Sequence, residues 1–168
     1  MSKYLVTSAL PYANGPIHFG HIAGAYLPAD IFTRFLRQSG EEVIYICGTD
    51  EHGVAITINA EKEGVPYKQY VDRNHAIIKA FFDKLEIRFD HFSRTTAPEH
   101  YVLAQEFFLS LYRKGHIKPA VEAQFYCVSC NRFLADRYVS GTCPKCGADN
   151  VRGDECTKCG EWLDPSKI

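Results

Sequence analysis

An α/β fold built on a parallel sheet, followed by a small cysteine-rich module, is what this sequence predicts. Three observations predict it. Two β-type runs, "YLVTS" and "VIYIC" (Val43 to Cys47), flank a helical pattern, and strand, helix, strand over about forty residues is a unit whose two strands run parallel. Further helical patterns follow before residue 115. From Cys127 the long apolar periodicity disappears, and glycine, proline and cysteine become dense, a texture that cannot build much of a core. The module boundary is therefore expected near residue 116, separating 1–115 from 116–168.

The elements follow from local pattern. In "HIAGAYLPADIFTRFLRQSG", Ile22, Ala25, Tyr26, Ala29, Ile31, Phe32 and Phe35 lie near helical spacing, with a stop expected near Gly40. Arg34 and Arg37 suit the negative end of that helix, and Pro28 inside it predicts a kink or an irregular turn. Val54 to Glu63 reads as a helix ended by Gly64. Pro66 opens the next, which runs to about Leu85 through Tyr70, His75, Ile78, Phe81 and Phe82. "RFDHFSRTT" reads as a short strand and loop, Pro98 opens a helix to Lys114, and "IKPAVEAQFYC" reads as extended.

Bulk properties narrow the function classes. The 168 residues are 46% hydrophobic and 23% charged, ordinary for a soluble globular chain of one domain, or one plus a small module. A formal net charge of −1 excludes a strongly basic nucleic-acid clamp and gives no electrostatic reason to expect a membrane. "MSKYLVTSAL" lacks a signal peptide's apolar run, and no stretch is long enough to span a bilayer, so the chain reads as cytoplasmic.

Two polar clusters fall at strand ends. "LPYANGPIHFGH" places His18 and His21 around Gly20, where the chain leaves its first strand for a helix. A helix N-terminus offers unpaired N–H groups and partial positive charge, which suit phosphate. Neutral imidazoles can add ring donors, and fixed donors stabilise charge that develops on an attacked phosphate. Alone, His-x-Gly-His favours the simpler reading, in which one histidine caps the helix and the other is exposed. Its context favours a site, because ligands of such sheets bind at the carboxyl ends of the strands. The next strand ends in "CGTDEHG", which is expected to put Asp50, Glu51 and His52 on the same rim. The simpler reading of that stretch is a hydrophilic turn in which Thr49 or Asp50 caps the helix from Val54.

Six of the seven cysteines form the pairs Cys127/Cys130, Cys143/Cys146 and Cys156/Cys159, and Cys47 stands apart. In a cytoplasmic chain such pairs suggest thiolates for metal rather than disulfides. Structural zinc takes four ligands in a tetrahedron, and two Cys-x-x-Cys turns supply them. Six sulfurs divide in three ways. The first and second pairs could join across twelve residues, or all six could hold two zinc ions through bridging thiolates. Or the second and third pairs, nine residues apart, form one site while Cys127 and Cys130 wait for a pair outside this chain.

"ALPYANGPIHFGH" followed by "CGTDEHG", then "FLADRYVSGTCPKCG" and "GDECTKCG", resembles the class I aminoacyl-tRNA synthetases, and among them the methionyl family, over essentially the whole chain. The resemblance implies the first half of a Rossmann-like parallel-sheet nucleotide-binding domain, followed by the start of a connective insertion with zinc knuckles. It implies that His18, Gly20 and His21 carry the ATP-binding and catalytic signature, and that Tyr12 and Asn14 help shape that site. Ala9, Leu10 and Tyr12 would line a methionine pocket, and Asp50 would pair with the methionine ammonium. Phe19, bulkier than the residue usual at its position, is expected to pack inward.

The resemblance also favours the third division of the cysteines. It implies structural Zn2+ on Cys143, Cys146, Cys156 and Cys159, and a possible second site in which Cys127 and Cys130 use downstream ligands. The implied substrates and partners are methionine, ATP with Mg2+, and tRNA(Met). With six basic and six acidic side chains, the segment from Cys127 to Ile168 is a poor nonspecific grip on RNA by charge. The family's insertion helps organise the acceptor end of tRNA, which fits shape better.

No Lys-Met-Ser-Lys-Ser-like loop is present, and "PSKI" does not match one, so the chain is expected to be inactive in aminoacylation by itself. The competing readings are another class I synthetase or nucleotidyltransferase, a non-catalytic zinc-ribbon binding module, and thiol redox chemistry at a free Cys-x-x-Cys pair.

Overall fold

The computed structural model describes residues 2–121, 124–135, 138–152 and 155–164. The chain divides into two compact units, Met1–Lys114 and Gly115–Ile168. The "PSKI" end, Glu122 and Ala123 of "IKPAVEAQFYC", and Asp136 and Arg137 of "FLADRYVSGTCPKCG" lie outside the described residues.

The first unit is α/β with a parallel sheet. Strands β1 (Lys3–Thr7), β2 (Glu42–Thr49) and β3 (His91–Arg94) lie in the order β1-β2-β3. Both pairings are parallel, with Thr7 opposite Ile46 and Thr49 opposite Arg94. The carboxyl ends of all three strands therefore share one edge. Gly48 makes the last pairing possible: a Cβ there would sit 2.8 Å from the Ser93 carbonyl oxygen.

The helix between β1 and β2 starts earlier than its apolar spacing predicts. It comprises α1 (Phe19–His21), a π turn (Ile22–Tyr26) and α2 (Leu27–Gln38). The irregularity predicted from Pro28 is this π turn. Proline has no N–H to give, and the turn before it closes with the wider Leu27 N–H to Ile22 carbonyl bond. Arg34 and Arg37 do more than face a helix end. Arg34 pairs with Asp30 at 2.7 Å and donates to the Glu86 carbonyl. Arg37 pairs with Asp90 at 2.7 Å, and Asp90 also accepts from the Tyr45 N–H at 2.7 Å.

Helices α3 (Val54–Glu63), α4 (Tyr67–Lys84) and α5 (Pro98–Arg113) follow the punctuation of Gly64, Pro66 and Pro98 closely. Gly64 takes φ +67°, the left-handed value that glycine tolerates best. One core joins Ile17, Tyr26, Tyr45, Cys47, Ile78, Phe82 and Ile87. A second, of Ala13, Ile56, Ala60, Tyr70 and Val71, fastens the segment after β1 to α3 and α4. Leu5 and Ile44, 66% and 50% exposed, belong to an uncovered side of the sheet. No residue of α5 is buried, and Val102, Leu103, Phe107 and Phe108 are exposed along it.

Among its described residues, the second unit has two short antiparallel pairs, β4 (Tyr126–Cys127) with β5 (Arg132–Phe133) and β6 (Ser140–Gly141) with β7 (Val151–Arg152). Its small core comprises Cys143, Val151, Cys156 and Leu163. Among the described residues, no helix is long and apolar enough to cross a membrane.

Candidate functional site

The segment that leaves β1 is built into the fold before it reaches the histidines. Tyr12 bridges to Asp50 beyond the end of β2: the Asp50 N–H donates to the Pro11 carbonyl at 2.9 Å, and the Ala13 N–H donates to the Asp50 carbonyl at 2.7 Å. The Ala13 carbonyl accepts from Asn74 Nδ2 at 3.1 Å, and the Asn14 carbonyl accepts from the Tyr70 hydroxyl at 2.9 Å. Asn14 Oδ1 accepts from Asn59 Nδ2 at 2.6 Å. Spacing along the sequence carries no sign of Asn59, Tyr70 or Asn74, which lie on later helices.

His18 and His21 stack with ring centroids 3.7 Å apart at the start of α1, and both are exposed. The His18 N–H donates to His21 Nδ1 at 3.2 Å. A neutral His21 ring whose Nδ1 accepts carries its proton on Nε2, so its outward edge is a donor. The capping reading and the ligand reading thus describe the same side chain: one ring nitrogen serves the helix and the other stays available. Gly20 accommodates the pair, since a Cβ there would lie 3.1 Å from His18 Cε1. Phe19 corrects an expectation. It is 80% exposed instead of packed inward, and among the described residues it belongs to neither apolar core of this unit.

The "CGTDEHG" rim also needs correction. Asp50 is half-buried and His52 exposed, but Glu51 is fully buried and points away from the rim. Neighbours in extended chain face opposite sides, so the three cannot share one surface. Nor do Thr49 and Asp50 cap α3. Its N-cap is Gly53, with no side-chain cap bond, and Thr49 Oγ1 instead meets Glu51 at 2.6 Å and His75 Nδ1 at 2.7 Å. Gly53 takes φ +116°, and a Cβ there would press to 2.8 Å from the Tyr12 hydroxyl.

The structure therefore brings Tyr12 to Asp50 and His18 to His21. Among the described residues, no hydrogen bond joins the histidine pair to Asp50. Ala9 is exposed and Leu10 is 49% exposed. A cleft of about 230 Å³ at the strand-end edge is lined by residues that include Ser8, Leu10, Gly48, Ser93, Arg94 and His100. Cys47, itself buried, is among the lining residues, and burial pushes its thiol up to about 11, which keeps it protonated near neutral pH.

In the second unit, the ligand atoms of Cys143, Cys146, Cys156 and Cys159 all lie within 4.8 Å of one another. The Cys143–Cys159 and Cys146–Cys156 sulfurs are 3.8 and 3.7 Å apart. A tetrahedron with Zn–S bonds of about 2.3 Å has edges of about 3.8 Å, so the donor set fits zinc in size as well as in kind. The two turns match. Cys143 and Cys156 N–H groups donate to the Ala148 and Glu161 carbonyls, both at 2.8 Å, and Gly147 and Gly160 both take φ +69°. Backbone N–H groups of Cys159 and Lys158 aimed at Cys156 hold its thiol down to about 7, so it sheds its proton readily. Lys145 pairs with Glu161 across the two turns. Cys127 and Cys130 belong to no such group among the described residues, while the Cys130 N–H points at Cys127 Sγ at 3.4 Å in the same manner of turn.

Known proteins agree in kind. The chain is 61% identical over 159 residues to a methionine–tRNA ligase of Chlamydia abortus, covering 95% of this chain and 29% of that protein. It is 59% identical over 165 residues to one of Thermococcus kodakarensis, covering 98% and 22%. The Mycobacterium tuberculosis methionyl-tRNA synthetase, solved in complex with methionyl-adenylate, superposes with a TM-score of 0.72 at 28% identity, over 90% of this chain and 31% of that one. This chain thus spans less than a third of the length of these relatives. The family described as tRNA synthetases class I (M) matches residues 4–168, and the chain belongs to it.

Proposed function

We propose that the chain forms part of a methionine–tRNA ligase. Residues 1–115 contribute the first half of its Rossmann-like catalytic domain, and 116–168 the start of a connective insertion. The reaction begins when the methionine carboxylate attacks the α-phosphate of ATP, which enters with Mg2+. Methionyl-adenylate forms and pyrophosphate leaves; the methionyl group then passes to the 3′ end of tRNA(Met), in the cytoplasm.

The observation that carries this reading is the stacked histidine pair, with its outward Nε2–H donor on His21, at the helix start beyond β1. His18 and His21 donate to the phosphates as negative charge develops, and Gly20 keeps the approach open. Asn14 and Tyr12 shape the ATP side. Ala9, Leu10 and Tyr12 line the methionine side, where the Asp50 carboxylate receives the ammonium. Catalysis on this account is mainly positioning and electrostatics. Zn2+ on Cys143, Cys146, Cys156 and Cys159 has a structural role, because four thiolates leave no open coordination position. Cys127 and Cys130 contribute to a second site with ligands from a longer chain.

The test is amino-acid-dependent ATP–pyrophosphate exchange by the full encoded protein that carries these residues. Methionine is expected to support exchange, and His18→Ala and His21→Ala to reduce it by roughly a hundredfold or more, the loss typical of fixed donors to a developing anion. Exchange supported by another amino acid instead overturns the substrate assignment. No exchange with any amino acid, and RNA binding indifferent to both substitutions, would mark a non-catalytic binding module.

A further inference from the structure

Glu51 is a buried charge for which the proposed chemistry has no direct use. It is fully buried, a costly place for a carboxylate unless every lone pair is engaged. Thr49 Oγ1 donates to Oε1 at 2.6 Å, Arg94 Nε lies 3.0 and 2.8 Å from the two carboxylate oxygens, and Thr96 Oγ1 donates to Oε2. The Glu51 N–H donates to Thr95 Oγ1 at 2.9 Å, and its carbonyl accepts from the Tyr67 hydroxyl. Arg94 reaches Asp72 Oδ1 at 2.7 Å with Nη2, and Asp72 pairs with Lys68 at 2.5 Å. One residue therefore ties the end of β2 to the end of β3 and to α4.

Asp50, next to it, has little hold on its own side chain: among the described residues, its carboxylate takes a single 3.4 Å hydrogen bond, from the His52 N–H to Oδ1. The direction of that carboxylate is set by its main chain. On one side the main chain is fixed by Pro11 and Ala13. On the other it is fixed by Glu51, whose inward side chain turns Asp50 and His52 outward. An apolar residue at position 51 would leave Arg94, Thr49 and Thr96 without the carboxylate they bond, and the direction those bonds set would be lost.

We propose that Glu51, clamped by Arg94, is a positioning residue that aims the Asp50 carboxylate at the substrate ammonium. The inference rests on the reading of Asp50 given under the proposed function. It makes the methionine subsite depend on an ion pair with no contact to methionine.

The experiment measures ATP–pyrophosphate exchange by the full encoded protein, separating KM for methionine from KM for ATP. Glu51→Gln keeps the shape and removes the charge. It is expected to raise the methionine KM by roughly ten- to a hundredfold, on the scale that an ångström of misplacement costs. The ATP KM should stay within about twofold, since the histidine turn keeps its own supports. Thr96→Val removes one donor at a distance from the rim and is expected to raise the methionine KM a few-fold; it carries the test should Glu51→Gln fail to fold. A merely structural role would lower the melting temperature and the active fraction and leave both KM values alone, and that result overturns the proposal. So does a rise shared equally by both substrates. If the parent protein shows no methionine-dependent exchange, the proposed function falls and this inference with it. If the parent is active and the variants keep its methionine KM, the inference alone falls.

Discussion

The two units arrange their candidate sites by opposite means. In Gly115–Ile168 the four sulfurs come from two matched turns, each closed by its own backbone bonds and its own left-handed glycine, over a core that, among the described residues, has four buried members. In Met1–Lys114 the polar groups come from residues 12–21, from 49–52 and from Arg94, and parallel pairing is what carries these segments to one edge of the sheet. The first site is written in local spacing and needs little fold. The second is written in topology and is nothing without it. That difference predicts which unit fails under which insult.

The largest effect is expected from removing metal. For structural zinc the binding free energy is largely folding free energy, about 10–16 kcal/mol in small zinc modules. Chelation should therefore unfold the cysteine turns while the sheet unit keeps its own transition. Amide exchange resolved by residue would follow both: Val151 and Leu163 should lose protection, and Tyr45 and Ile78 should keep it. Metal analysis should find one tightly held zinc for these 168 residues. Two would give Cys127 and Cys130 a complete site here and reject the pairing proposed above.

Phe82→Ala is the reverse insult. Phe82 is 1% exposed and packs edge-on against Tyr26, Phe89 and Phe92. Loss of its ring should cost the sheet unit about 3–5 kcal/mol. Denaturant unfolding followed by tyrosine fluorescence should register that loss, while zinc retention by the cysteine turns should change little. Release of zinc at the same denaturant concentration would show that the two units are not as separable as their internal packing implies.

The same contrast explains which features are legible in the sequence. The cysteines were legible as metal ligands from their spacing, but spacing left three divisions open, and the family resemblance favoured the one that the structure brings together. The parallel strand–helix–strand unit was legible too, and so were helix limits marked by Gly64, Pro66 and Pro98. The inward turn of Glu51 was not. A glutamate between an aspartate and a histidine reads as surface, and its burial depends on Arg94, 43 residues further on. The burial of Asn74 depends likewise on a carbonyl 61 residues before it. Phe19 misled for a related reason: its apolar character says what it would gain from burial, and nothing in its neighbourhood says whether a surface exists to bury it.

A smaller effect is expected from Gly20→Ala, which separates stability from function within the first unit. Alanine favours a helix over glycine by up to about 1 kcal/mol, so thermal stability should hold or rise slightly. The added Cβ would crowd the His18 ring at 3.1 Å, and the ring, being the free end of a side chain, would swing aside. ATP-dependent exchange by the full encoded protein should then fall with no loss of melting temperature. Unchanged exchange would mean that the stacked arrangement of His18 and His21 has no part in ATP use.

The smallest effect concerns His75, which should give the sheet unit a pH response of its own. Burial and the Arg94 guanidinium hold its imidazole below its ordinary range; Lys79 adds to this, while Glu51 and Asp72 oppose it. The ring is then neutral in the fold at neutral pH. Thr49 Oγ1, with its one proton given to Glu51, accepts from His75 Nδ1–H. Above about pH 6.5 the folded and unfolded chains are both neutral at this site, and its contribution is complete. As pH falls through that value the unfolded chain takes up the proton first, so stability is lost toward acid. Asp72, held low by Lys68 and Arg94, loses its contribution only further down, below the ordinary carboxylate range near about 4, so the two steps are separable. Denaturation of the parent and of His75→Gln between pH 7.5 and 5.5 should give a steeper decline for the parent, and parallel curves would remove His75 from the account. Protonation leaves the Nδ1–H bond to Thr49 in place, so the acid loss reflects a charge placed on a buried ring and beside Arg94, and not a broken hydrogen bond.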